Sequence, residues 1–172
     1  MPTLHVCSLS RLNETVAAIG PSHVVSLLSA GTSIERPAPI APERHLVINV
    51  SDILEPMEGH VLAGPEHMER LLAFIRAWDR KAPLLFHCWA GISRSTAAAY
   101  VAACALAPER DEAALALALR EAAPSATPNA RFIALADALL GRQGRMVDAI
   151  RAIGRGAEAM EGVPFMLQLN GD

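Results

Sequence analysis

Short apolar runs alternate with helical patterns along the N-terminal half of the chain. The runs have the length and branched side chains of buried strands, and they cover residues 4–7, 23–28, 45–48 and 83–86. Between them, Ser10 is the predicted cap of a short helix to Ile19, which Gly20-Pro21 ends, and a second helix begins at Pro65. The proline-rich residues 30–43 are predicted to form a loop. Strands that alternate with helices indicate a parallel sheet.

The C-terminal half carries helical patterns alone. They cover residues 95–106, 109–122, 128–140 and 145–153, and Thr127 is the predicted N-cap of the third. We therefore predict an α/β fold in a single domain, residues 1–172, with a central, mostly parallel four- to five-stranded sheet flanked by helices. The pattern fades in the tail, residues 155–172. Its apolar run at 163–167 has two interpretations, packing across the domain or self-association.

Length and charge narrow the function classes. A chain of 172 residues can bury a substantial core, and a net charge of -3 with a pI near 6.1 provides no general attraction for nucleic acid or an anionic membrane. The N-terminus lacks the features of a signal peptide, and the longest apolar run, 97–107, is too short to cross a bilayer. These features predict a cytoplasmic protein without a nucleic-acid or membrane partner.

The cysteines do not form a metal-binding pattern. Cys7, Cys88 and Cys104 lack metal-ligand spacing, and their odd number argues against a disulfide framework. We expect no metal ion and no cofactor. A reducing compartment also suits a protein that uses a free thiolate.

The most informative segment is the run from His87 to Ser95. It follows an apolar strand and precedes good helix formers, so it predicts a tight loop between a strand and a helix. Backbone amides of such a loop cradle oxyanions and favour the thiolate of a cysteine such as Cys88. Arg94 adds a planar fork that can hold two phosphate oxygens, and Gly91 lets the backbone turn tightly.

The pattern His87-Cys88, five residues, then Arg94-Ser95 resembles the signature of the protein tyrosine phosphatases. The stretch 90–95 is most similar to the dual-specificity branch. The resemblance implies a phosphotyrosine phosphatase-like fold over roughly residues 4–140, with Cys88 as the nucleophile, Arg94 binding the phosphoryl group and Ser95 assisting breakdown of a phosphocysteine. The expected phosphate-binding residues are Trp89, Ala90, Gly91, Ile92, Ser93 and Arg94. His87 is expected to point away from the pocket and to support the loop.

The resemblance also implies a general acid on a loop upstream of the nucleophile. Asp52 comes directly after the strand 45–48 and matches that position best, while Glu55, Glu58 and His60 are alternatives on the same loop. Further along, residues 124–132 are similar to a Pro-Asn-x-Gly-Phe segment of the family. There Asn129 is expected to brace the catalytic loop or merely to start a helix, and Arg131 replaces the usual glycine.

The leading hypothesis is a cysteine-dependent phosphatase that hydrolyses phosphate monoesters. The loop lacks the lysines that phosphoinositide phosphatases of this superfamily tend to carry, so protein phosphotyrosine is the first candidate, ahead of phosphoserine, phosphothreonine or a small phosphomonoester. Trp89 could line the pocket mouth or pack on neighbouring loops. Two other classes stay open: a catalytically weak phosphate-binding adaptor, and a sulfurtransferase or arsenate reductase-like enzyme. The last needs a resolving thiol, for which Cys7 and Cys104 are the candidates.

Overall fold

A five-stranded sheet forms the centre of the molecule. The structure, a computed structural model, describes residues 2–170. The strands are β1 (Thr3–Ser8), β2 (His23–Leu28), β3 (His45–Asn49), β4 (Leu84–Cys88) and β5 (Phe165–Gln168), in the order β3-β2-β4-β1-β5. The first four are parallel and β5 is antiparallel to β1. The predicted fold class, a mostly parallel sheet of four to five strands, is confirmed.

Helices cover both faces of the sheet. They are α1 (Leu12–Ile19), α2 (Pro65–Ala77), α3 (Arg94–Leu106), α4 (Glu112–Ala122), α5 (Ala130–Leu140) and α6 (Arg145–Ile153), with a 3-10 turn at Pro42–Arg44. A small core includes Leu12 and Val16 of α1, whereas the larger core surrounds the alanine-rich α3, which is buried along nearly its whole length. Within residues 2–170, no helix combines the length and apolarity that a bilayer crossing requires.

Several predicted helix starts are wrong by a few residues. Asn129, and not Thr127, caps α5, because its side-chain oxygen accepts from the amides of Arg131 (3.0 Å) and Phe132 (3.2 Å). The helix therefore begins at 130 and not at 128. The fourth helix begins at 112 and not at 109, since Asp111 caps it by accepting from the Ala114 amide at 2.9 Å.

The start of α1 differs from the prediction, whereas the C-terminal run agrees with one of its two interpretations. Ser10 does not cap α1, whose N-cap is Arg11, because the Ser10 hydroxyl hydrogen-bonds the Glu161 carboxylate. The apolar run near the C-terminus forms β5, in which Met166 pairs with His5 of β1. This agrees with the first of the two interpretations, packing across the domain. An added strand also satisfies the backbone of an otherwise open sheet edge.

Candidate active site

The candidate residues meet where the parallel strands end. Strands β3 and β4 run in the same direction, so Asp52 and Cys88 arrive at the same edge of the sheet. In open α/β sheets this carboxyl edge is where ligands bind. The order of the strands thus brings together two segments that lie far apart in the sequence.

Residues 88–94, here called the phosphate loop, form a tight turn around the Cys88 sulfur. The Gly91 amide donates to Cys88 Sγ at 3.3 Å, and Ser95 Oγ lies 3.1 Å from the same sulfur. Gly91 has φ 70, and a Cβ there would lie 2.9 Å from backbone atoms of Cys7 and Ser8. The turn therefore requires glycine for its left-handed conformation and for its close approach to β1.

The loop leaves several hydrogen-bond donors available. Within residues 2–170, the amides of Ala90, Ile92 and Ser93 donate to no carbonyl or side chain. The loop leads directly into α3, whose first residue is Arg94. Free amides at a helix N-terminus, where the helix dipole is positive, are suited to an oxyanion.

Arg94 is buried beside this loop and only partly paired. One terminal nitrogen, Nη1, donates to the Val50 carbonyl at 2.8 Å and to Ser29 Oγ at 3.2 Å. Its Nε is also buried. Among the buried side-chain nitrogen and oxygen atoms of residues 2–170, this Nε alone has no hydrogen-bond partner. Since buried donors are almost always paired, the guanidinium is anchored at one end and has a donor left for a ligand.

Asp52 lies over the phosphate loop. Its Oδ1 accepts from Ser93 Oγ at 2.7 Å and from Asn129 Nδ2 at 2.8 Å. Of the alternatives, Glu55 and Glu58 are exposed and, within the described residues 2–170, have no hydrogen bond or ion pair to the phosphate loop, and His60 lies 3.2 Å from Ser51 Oγ. Of the four candidates, Asp52 is the one that hydrogen-bonds the phosphate loop within residues 2–170.

The segment before α5 braces the phosphate loop from one side. The Thr127 amide donates to the Ile92 carbonyl at 2.9 Å, and the Asn129 amide donates to the Ser93 carbonyl at 3.2 Å. Asn129 thus caps a helix, supports the phosphate loop and holds Asp52. Arg131, at the position where the resembling family has glycine, donates through Nε to the Ala63 carbonyl at 2.9 Å and so ties down the far end of the Asp52 loop.

His87 lies beneath the loop, inside the sheet. Its Nδ1 is 3.3 Å from the Cys88 carbonyl and its Nε2 is 2.5 Å from Ser26 Oγ, which is 2.8 Å from His45 Nε2. Burial lowers the pKa of His87 to about 4, so the imidazole is neutral near pH 7. A neutral ring that donates from Nδ1 to the carbonyl accepts the Ser26 hydroxyl at Nε2, and Ser26 in turn accepts from His45.

The other two thiols do not share this pocket. Ser8 is opposite Cys88 and Cys7 is opposite His87 in the β1–β4 register, so Cys7 faces the other side of the sheet and packs in the small core. Burial raises the pKa of Cys7 to about 11 and that of Cys104 to about 12. Neither residue is arranged to resolve an intermediate formed on Cys88, which counts against the arsenate reductase-like alternative.

Two features of the site rim depend on the tertiary structure. Trp89 is 65% exposed, which agrees with a place at the pocket mouth and not with packing on neighbouring loops.

Residues 154–164, here called the strap, pass beside the phosphate loop, and the Gly162 amide donates to the Ala90 carbonyl at 2.8 Å. The sequence analysis did not identify the strap, although its glycines at 156 and 162, which do lie against other backbone, could have suggested close backbone contacts.

Solved structures resemble this architecture over most of its length. DUSP15 matches with a TM-score of 0.64 at 19% identity, over 89% of this chain and 91% of that chain. The PTP-2 phosphatase of Cydia pomonella matches with a TM-score of 0.62 at 20% identity, over 78% and 84%. Human DUSP28 matches with a TM-score of 0.59 at 22% identity, over 83% and 96%. The chain has the dual-specificity phosphatase fold.

Comparison of whole sequences does not detect this similarity. No protein-family model matches the chain, and a comparison with curated proteins gives no significant match. The dual-specificity phosphatase fold is therefore recognised through the order of the strands and helices and through the short Cys88–Ser95 segment. The arrangement at the loop, and not overall identity, must carry a functional argument.

Proposed function

We propose that the protein is a cysteine-dependent phosphatase of the dual-specificity type, which hydrolyses phosphate monoesters through a phosphocysteine intermediate. The observation that carries the proposal is the buried Nε of Arg94, unpaired within residues 2–170, at the end of a loop whose Cys88 sulfur accepts from the Gly91 amide. A phosphate dianion would accept from this Nε and from the free loop amides. Such donors, fixed in place before the substrate arrives, stabilise the charge that develops in the transition state.

In the first step the Cys88 thiolate attacks phosphorus, a sulfur–phosphorus bond forms and the bond to the leaving oxygen breaks. The leaving oxygen takes its proton from Asp52, which Ser93 and Asn129 hold over the loop. The phosphoryl oxygens stay on Arg94 and the loop amides. The products of this step are the free alcohol or phenol and phosphocysteine.

In the second step water attacks the phosphocysteine. Asp52, now a carboxylate, accepts the proton of the water, an oxygen–phosphorus bond forms and the sulfur–phosphorus bond breaks. The Ser95 hydroxyl, 3.1 Å from Cys88 Sγ, donates to the departing thiolate. Inorganic phosphate leaves and the enzyme returns to its starting state.

We assign phosphotyrosine in proteins as the favoured substrate. The phosphate loop contains no lysine, so Arg94 is its one cation, and a single phosphate group matches it. The exposed Trp89 at the mouth offers an apolar surface to an aromatic ring. Phosphoserine and phosphothreonine are also phosphate monoesters that this loop could accept, so both belong in the substrate panel.

Cys88→Ser tests the proposal. The hydroxyl is a far weaker nucleophile than a thiolate, so hydrolysis of an aryl phosphate should be abolished, while circular dichroism and competitive binding of inorganic phosphate should show an intact fold and cradle. Cys104→Ser is the matched control, since that thiol is buried in α3, and we expect full activity. Turnover by Cys88→Ser would refute the nucleophile, and phosphate binding without any wild-type turnover would favour the adaptor.

A further inference from the structure

The strap is fixed at both ends next to the phosphate loop. At its start, the Gly156 amide donates to Thr127 Oγ1 at 3.1 Å and the Ala157 amide donates to the Pro124 carbonyl at 2.9 Å. At its end, Gly162 binds the Ala90 carbonyl, and the Glu161 carboxylate accepts from the hydroxyls of Ser8 and Ser10. These bonds hold the backbone on both sides of the three exposed residues 158–160.

The end of the strap touches the phosphate loop closely. A Cβ at Gly162 would lie 2.6 Å from the Gly91 carbonyl oxygen, so the two backbones are in direct contact. Glu161, the preceding residue, accepts hydrogen bonds from the hydroxyls of Ser10 and Ser8, and these bonds lower the pKa of its carboxyl group. The strap is therefore part of the wall of the candidate active site and not a distant tail.

Met160 is one of the three exposed residues 158–160, and its side chain is 99% exposed. It borders a cavity of about 590 Å³ that also includes Asp52 and Ser93, and a second cavity of about 360 Å³ that includes Trp89 and Ala90. Leu9 adds a further, partly buried apolar side chain to the second cavity. Large apolar side chains exposed together at a site mark a binding surface, and methionine adapts its shape to different partners.

The charges around these cavities disfavour a polyanionic ligand. Their lining carries the carboxylates of Asp52, Glu158 and Glu161 against the single guanidinium of Arg155. That guanidinium lies 4.0 Å from Glu158, so its charge is partly balanced. An inositol polyphosphate, a doubly phosphorylated peptide or an anionic membrane would meet excess negative charge beside the phosphate loop.

We propose that Met160 and Trp89 form an apolar subsite for the side chain next to the phosphotyrosine of a peptide substrate. This inference rests on the proposed function. Because Trp89 follows the nucleophile directly, a peptide whose phosphate is in the loop must pass this rim. The second cavity is lined by Trp89 and Ala90 of the phosphate loop, so it adjoins the place where the phosphate would bind and where the neighbouring residue of the peptide would lie. A volume of about 360 Å³ accepts one large apolar or aromatic side chain.

The test compares phosphotyrosine peptides that carry Leu, Phe, Ser or Asn beside phosphotyrosine, on either side. For the wild-type protein we expect kcat/KM to be about tenfold higher with the apolar neighbour, mainly through KM. In Met160→Ser the ratio of kcat/KM between the apolar and the polar neighbour should fall to nearly one. Leu117→Ser is the matched control, because Leu117 is also an exposed apolar residue, on α4, outside both cavities, and it should keep the preference.

Failure of the subsite and failure of the proposed function give different results. No hydrolysis of any aryl phosphate by the wild-type protein would remove both proposals. Hydrolysis that inorganic phosphate inhibits, without a preference for apolar neighbours or with a preference that Met160→Ser leaves intact, would overturn the subsite alone. Faster hydrolysis of inositol lipids in anionic vesicles than of every peptide would also overturn it.

Discussion

The two loops that make up the candidate site are held in opposite ways. The phosphate loop is supported by β1 beneath Gly91, by Thr127 and Asn129 on one side and by Gly162 on the other. The acid loop, residues 50–64, is buried at its two ends but exposed from 54 to 61. Asp52 is attached to the rest of the site through the hydroxyl of Ser93 and the amide of Asn129.

This difference in support suits two different functions, oxyanion binding by the phosphate loop and proton transfer by the proposed acid. A cradle for an oxyanion is effective when its donors are fixed before the ligand binds, so supporting contacts on all sides are useful. A general acid must also approach different leaving groups and later activate water, which a lightly held side chain allows. Asp52, the proposed acid, nevertheless takes part of its position from the cradle, since Ser93 belongs to the phosphate loop.

The largest effect should come from disturbing the support beneath the phosphate loop. In Gly91→Ala the new Cβ meets backbone atoms of β1 at 2.9 Å in a left-handed conformation, so the loop must shift. We expect kcat/KM for an aryl phosphate to fall by about 10³-fold, with weaker inhibition by inorganic phosphate. Gly141→Ala is the control, as Gly141 also has positive φ but no atom within 4 Å of its Cβ position. Unchanged phosphate inhibition in Gly91→Ala would contradict the rigid cradle.

The next largest effect should come from the acid loop. Asp52→Asn keeps the shape and the two accepted hydrogen bonds but has no proton to transfer, so kcat should fall by about 10²-fold for poor leaving groups and little for good ones. Glu55→Gln, on the exposed part of the same loop, should leave both rates unchanged. Equal losses for good and poor leaving groups would show instead that Asp52 only positions other groups.

The support beneath the loop also predicts a pH-dependent stability. The pKa of His87 is about 4 in the folded protein against an ordinary value of 6.5, so the unfolded chain binds a proton first as the pH falls. The stabilising contribution of neutral His87 should be fully present above pH 6.5. Between pH 6.5 and 4 the free energy of unfolding should decrease by about 3 kcal/mol because of this residue alone. Urea denaturation of the wild type and His87→Gln over this range measures the difference.

A control identifies the contribution of His87. His5 also has a lowered pKa because of burial, but it lies at the start of β1, away from the loop. His5→Gln should keep most of the pH dependence. If His87→Gln has the same slope as the wild type, the imidazole is not kept neutral by its burial.

The smallest effect should come from the link between the two loops. Ser93→Ala removes one of the two donors to Asp52 and keeps the backbone amide, so we expect about a tenfold loss in kcat for poor leaving groups. In an Asp52→Asn background the same change should cost much less, because the acid it positions is already inactive. Additive losses in this double-mutant cycle would show that Ser93 acts independently of Asp52.

Much of the fold and the chemistry of the phosphate loop could be predicted from the sequence. The four parallel strands have local apolar patterns, and the run from Cys88 to Ser95 places nucleophile, turn glycine and arginine within one strand–loop–helix unit. Each of these features depends on neighbours that are close in the chain. The starts of two helices were wrong, because the side chains that cap them, Asp111 and Asn129, lie two residues after the predicted start and after the predicted cap, respectively.

The sequence by itself determined the candidates for nucleophile and phosphate-binding cation, Cys88 and Arg94, since these are side-chain types at short spacing, but it left the acid open among Asp52, Glu55, Glu58 and His60. Tertiary structure alone decided how they meet: Asn129 reaches Asp52 across 77 positions and Glu161 reaches Ser8 across 153. It also turned an isolated apolar run into β5 and the preceding residues into a wall of the site. Such contacts form only when the sheet order brings distant segments together, and no local pattern records that order.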